Sequence, residues 1–148
     1  MNYKLIAESF LNAIIALKSQ NRLKSRNLLY FPRGACCYTC DLLQRYLFEQ
    51  YQIDSYAVWG QRQNGDTHVW LESIPDKIII DITIGQYSDA PSSMYVGPYY
   101  RFYDEFNITD KMSYQENVSS SNHYLEKPRL ELDKDEDYSS ILNYLHSK

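Results

Sequence analysis

Apolar residues return every three to four positions near the start of the chain, at Leu5, Ile6, Phe10, Ile14 and Leu17. That spacing predicts an amphipathic helix over about Asn2 to Leu17. The polar stretch "KSQNRLKSRN" follows as its tail and a connection. Pro32 and Gly34 then break the chain. Beyond them Leu43, Tyr46, Leu47 and Tyr51 mark a second helical stripe, with Cys36 at or next to its first turn. After Ile53 the period shortens to two. "SYAVWGQRQ" reads as a strand, "NGD" at Asn64 to Asp66 as a tight hairpin turn with positive φ at its central residues, and "THVWLES" as the return strand. Alternation places His68 and Trp70 on one face of that strand and Val69 and Leu71 on the other. Pro75 and Asp76 make the next turn, and "KIIIDIT" supplies a third strand whose unbroken apolar run predicts burial on both faces.

From Gln86 onward the pattern weakens. "SSMYV" reads as a short strand and "YYRFYDEF" as either strand or helix. "KMSYQENVSSSNHYLEKPRLELDKDED" reads as an exposed polar connection, with room for a short strand at Pro128 to Leu132. Tyr138, Ile141, Leu142 and Leu145 mark a terminal amphipathic helix over about 135–146, entered through an acidic run that suits its N-terminal dipole. No internal repeat or domain boundary stands out, so the expectation is one α+β domain over 1–148, a Cys-bearing helix leading into a three-stranded antiparallel meander.

Composition narrows the function classes. A formal charge of −4 speaks against general nucleic-acid binding, which needs a concentrated basic face. Arg22, Lys24, Arg26 and Arg33 form a local cluster that reads as a solvated face. The N-terminal run "LIAESFLNAIIALK" carries Glu8 and Asn12 and has no small-residue cleavage site after it, so neither a signal peptide nor a membrane span is expected. The 15 tyrosines should line the core edge, a groove or a partner surface, because each buries a ring and keeps a hydroxyl wet. An odd number of clustered cysteines is a poor disulfide framework, which points to a reducing, cytoplasmic setting. The sequons at Asn107 and Asn117 carry no weight there.

All 3 cysteines fall within "FPRGACCYTCDLLQRYL", Phe31 to Leu47. Cys37 and Cys40 have a zinc-like spacing that His68 could join, but a structural site wants a second ligand pair, and His123 and His146 stand alone. The same pair has a redox spacing, yet no strand pattern leads into it. A nucleophile has different needs. A helix N-terminus stabilises the thiolate, an imidazole accepts the thiol proton, and a third group holds the imidazole tautomer. His68 and Asp81 answer those needs on successive strands joined by the "SIPDK" turn. The plainer readings are a satisfied strand histidine, an aspartate capping a turn, and a cysteine used as a small apolar residue.

"FPRGACCYTCDLLQRYL", then "DTHVWLE", then "KIIIDITIGQY" resembles the catalytic core of transglutaminase-like, papain-like cysteine enzymes of bacteria. The resemblance spans about Phe31 to Asp89, less than half of the chain. It implies a papain-like α+β core with the Cys helix packed on an antiparallel sheet. It implies Cys36 as nucleophile after Gly34-Ala35, His68 as general base with Trp70 two residues on, and Asp81 as the residue that orients the imidazole. Where related sequences commonly carry Gly after the nucleophile and Ser four positions on, this chain has Cys37 and Cys40.

The expected chemistry is acyl transfer through Cys36, hydrolysing a peptide or side-chain amide, with no metal and no cofactor. The expected partner is a peptide or protein substrate, with neither nucleic acid nor membrane. Gly34, Ala35, Trp70 and Gln86 are the surrounding substrate-binding or oxyanion candidates, Gln86 reading first as structural or groove-lining. Gln20, Asn21 and Asn27 are upstream amides that could complete an oxyanion hole. The alternative is a binding module for a peptide or protein that kept the fold and lost turnover.

Overall fold

A computed structural model describes residues 1–121 and 128–147. The first helix, α1, runs Tyr3–Ser19, and the Asn2 side chain caps it by accepting from the Leu5 amide. Of its predicted apolar stripe, Ile6, Phe10, Ile14 and Leu17 are buried, whereas Leu5 is exposed, one position off the buried face. A 3₁₀ turn at Arg26–Leu28 follows, pinned by buried Leu28. Gly34, at φ +68°, then swings the chain into α2, Cys36–Tyr51. A left-handed φ of that kind strains any residue with a Cβ.

Five antiparallel strands follow: β1 Ser55–Gln61, β2 Thr67–Ser73, β3 Ile79–Asp81, β4 Tyr95–Gly97 and β5 Asn107–Ser113. Their spatial order is β4-β3-β2-β1-β5. Helix α3 covers Tyr114–Ser121 and α4 covers Pro128–His146. The molecule is α+β. Among the described residues, no helix is long and apolar enough to cross a membrane.

The sheet has two different faces. Ala57, Val69, Leu71 and Ile80 face α1, α2 and α4 and join their main core. Val58, Trp70 and Ile79 face the other way, into an aromatic cluster with Phe102, Tyr103 and Phe106. "KIIIDIT" is thus buried on both faces as its run predicts, although only Ile79–Asp81 pairs as strand. The chain from Tyr95 to Phe106 closes the second face, and "YYRFYDEF" resolves into a 3₁₀ turn at Arg101–Glu105.

Several expectations need correction. The sheet has five strands rather than a meander of three, because β4 pairs on β3 and β5 pairs on β1. The stretch read as a polar connection holds the end of β5, all of α3 and the start of α4. Pro128 to Leu132 is helical rather than a strand, and Pro fits there because the first helical turn needs no N–H from it. β5 is an edge strand with most of its residues exposed, so no alternation marks it. In the hairpin, only Gly65 has positive φ, at +96°. The Gly65 amide donates to the Arg62 carbonyl and the Arg62 amide to Asp66, so the loop is longer than a two-residue turn.

Candidate active site

β2 pairs with β3 only through Leu71 and Glu72. The ladder therefore ends short of Val69, and the N-terminus of α2 meets the strand there. The Cys40 thiol donates to the Val69 carbonyl at 3.4 Å, and the Val69 backbone N–H reaches Cys36. Two thiols one helical turn apart thus occupy backbone groups that a longer β3 would have taken. This places Cys36 beside the start of β2, where His68 sits.

His68 and Asp81 both project from the aromatic face, on neighbouring strands. His68 is 0 % exposed and Asp81 1 %. The His68 Nε2–H donates to Asp81 Oδ2 at 2.7 Å, which fixes the tautomer and leaves Nδ1 as the nitrogen able to take a proton. The carboxylate is held from two more sides. Tyr103 Oη donates to the same Oδ2 at 2.7 Å, and the Thr83 amide donates to Oδ1 at 3.2 Å. A buried carboxylate with three donors is satisfied as an anion.

An aromatic cage fixes the imidazole ring. Trp70 lies 5.7 Å away, Phe106 5.9 Å, and Tyr87 stands edge-on at 5.0 Å. Tyr87 Oη in turn donates to the Thr67 carbonyl. Gly60, opposite His68 in the β1–β2 register, makes this closeness possible. A Cβ there would lie 2.7 Å from Phe106 Cβ and 3.1 Å from Trp70 Cη2. Arg62 closes the cage over Tyr87, Phe102 and Phe106 and bonds Asp89 at 2.8 Å.

Charge follows from this packing. Burial of Cys36 works against its thiolate, but hydrogen bonds from His68, the Val69 amide and Gln86, together with the imidazole charge, hold the thiol below its ordinary value. Burial of His68 would lower the imidazole, and the Asp81 carboxylate outweighs it, raising the ring to about 9 with help from Cys36. Both directions favour a thiolate–imidazolium pair near neutral pH. No side chain caps the first turn of α2, since Ala35 stands at the N-cap, and the positive end of the helix dipole lies at Cys36. Cys40 differs. Burial and the nearby Asp81 charge push it well above its ordinary value, so it stays a neutral thiol. Cys37 is exposed.

No protein-family model, curated protein or solved structure matches this chain.

Of the predicted residues, Cys36, His68 and Asp81 are brought into one connected set. Trp70 packs against the imidazole, Ala35 starts the helix, and Gly34 makes the exposed turn before it. Gln86 reaches the centre, its Nε2 lying 3.1 Å from His68 Nδ1 and its side chain favouring the Cys36 thiolate. Gln20, Asn21 and Asn27 are exposed, and Gln20 instead accepts from Arg22. Among the described residues, no three His, Cys, Asp or Glu side chains are gathered to hold a metal ion, and His123 lies outside the described residues. Tyr103 escapes the sequence reading, as does buried Asp137. The Asp137 carboxylate accepts from the Lys24 and Ser25 amides at 2.6 and 3.1 Å and from Tyr38 Oη at 2.7 Å, tying α4 to the Cys36 helix.

Proposed function

We propose that this chain is a cysteine-nucleophile acyl-transfer enzyme on a transglutaminase-like, papain-like core, hydrolysing a peptide or side-chain amide. The observation that carries the reading is the relay of a half-buried thiol at a helix start, a fully buried imidazole, and a carboxylate 2.7 Å behind it. In the proposed reaction the Cys36 thiolate attacks the carbonyl carbon, and the carbonyl π pair moves onto oxygen. Collapse of that oxyanion expels the leaving group, which takes the proton from His68 Nδ1, and a thioester remains on Cys36. His68 then takes a proton from water as the water attacks the thioester, releasing the acid and restoring the thiol. The backbone N–H of Cys36 at the open helix start stands ready to stabilise the oxyanion.

The test is acyl-enzyme formation with p-nitrophenyl acetate, read by intact mass and peptide mapping. One acetyl group on Cys36, absent in Cys36→Ala, supports the enzyme. Acetylation confined to surface lysines, with Cys36 untouched, contradicts it and favours the inactive binding module.

A further inference from the structure

Among the described residues, Gln86 is the side-chain amide that reaches the centre of the site. It lies five residues after Asp81, in the 3₁₀ turn Ile84–Gln86. The turn that fixes the carboxylate also fixes the amide. The Thr83 amide donates to Asp81 Oδ1, and the Gln86 amide donates back to the Thr83 carbonyl at 3.1 Å. The Gln86 side chain is thereby delivered to the open side of the imidazole, the side away from Asp81. There its Nε2 is 3.1 Å from His68 Nδ1, and the side chain lies near enough to Cys36 to favour its thiolate.

Resting on the acyl-transfer reading, we infer that Gln86 is a catalytic residue, a mobile oxyanion donor that first holds the Cys36 thiolate and then follows the charge onto the carbonyl oxygen. While Nδ1 is bare it accepts from the Gln86 N–H. Once Nδ1 carries the thiol proton it can no longer accept, and the N–H turns to the sulfur, which then bears the charge. When the sulfur pair forms the S–C bond, the charge passes to the carbonyl oxygen, one bond beyond the carbon that the sulfur attacks. Sulfur in the tetrahedral adduct is a poor acceptor. The same N–H gains more by bonding the oxyanion, so its interaction strengthens in the transition state rather than in the ground state. On collapse the C=O bond re-forms and the donor is free to return.

The experiment compares two reactions at Cys36 in wild type, Gln86→Met and Gln86→Ala. Acetylation by p-nitrophenyl acetate passes through an oxyanion. Alkylation by iodoacetamide, a displacement at carbon, does not. Both are measured at a pH where each variant's thiol is fully ionised, so that a shifted thiol pKa drops out of the comparison. Loss of an oxyanion donor should slow acetylation by about 10²–10³-fold. Alkylation of a full thiolate should change by no more than about threefold, because thiolate nucleophilicity depends only weakly on its pKa. A thermal melt checks that each variant is folded. If the two rates fall together, or neither falls, Gln86 is no oxyanion donor while the acyl-transfer reading stands. If wild-type Cys36 resists both reagents, the acyl-transfer reading falls and takes this role with it.

Discussion

Asp137 is a buried carboxylate whose loss can be costed from its contacts. It lies at 0 % exposure on α4 and holds two backbone amides of the Lys24–Ser25 connection and the Tyr38 hydroxyl of the Cys36 helix. Burial and the carboxylate both push the Tyr38 hydroxyl upward, so it stays a donor throughout the usable pH range. Asp137→Asn keeps the shape and removes the charge. Its single carbonyl oxygen can retain the Ser25 and Tyr38 bonds, while its NH₂ must face the Lys24 amide, donor against donor. Bonds to a charged group contribute about 1.5–3 kcal/mol each and neutral ones about 1 kcal/mol. Losing one and weakening two comes to ~3 kcal/mol. For a chain of this size that is a fall of roughly 9 °C in melting temperature, at about 3 °C per kcal/mol. Urea unfolding followed by far-UV circular dichroism measures it directly. Asp135→Asn is the control, since Asp135 is 68 % exposed and pairs with Arg45 at the surface, a contact worth less than about 1 kcal/mol. Equal losses in the two variants would refute the claim that Asp137 anchors α4 to the Cys36 helix.

Two further substitutions probe the floor of the site. Tyr103→Phe removes a donor from Asp81 Oδ2, so more of the carboxylate charge bears on His68; the imidazolium gains, and the acidic limb of Cys36 alkylation should move to lower pH. The same variant should lose about 1.5–3 kcal/mol in urea unfolding, and an unmoved pH profile would refute the electrostatic part. Gly60→Ala drives a Cβ into Phe106 and Trp70 beneath the imidazole and should cost about 1–3 kcal/mol, with a changed near-UV signal from the cage; unaltered stability would show that the packing there is loose.

How far the letters went depends on what each residue faces. Helices α1 and α2 and the β1–β2 hairpin were legible because their stripes and alternations face a core. β5 was hidden because "NITDKMS" lies at an exposed edge, where Asp110 and Lys111 are as acceptable as any apolar residue. The triad was legible in its residue types and order, since polar groups with catalytic chemistry interrupt strand-like runs. Tyr103 was not, being one of 15 tyrosines, with nothing local to mark the one that bonds Asp81. Asp137 looked like part of an acidic run. Its signal was its place four residues before Ile141, on the apolar stripe, where a solvated carboxylate does not belong. Gln86 stood among the substrate-binding or oxyanion candidates but read first as structural or groove-lining; its direction is set by the Thr83 turn, a tertiary feature.

The most direct measurement is the rate of iodoacetamide labelling of each cysteine against pH, mapped by mass, in wild type and His68→Ala. His68, raised to about 9, stays charged across neutral pH and keeps the Cys36 thiol below its ordinary range. Cys36 should therefore label fastest, with a midpoint below that of an ordinary thiol, while Cys40 stays slow. In His68→Ala the midpoint for Cys36 should rise and its rate at pH 6–7 should fall, because the imidazole bond and charge that hold the thiol down are gone. Three cysteines labelling with ordinary midpoints, unchanged by the substitution, would contradict the account.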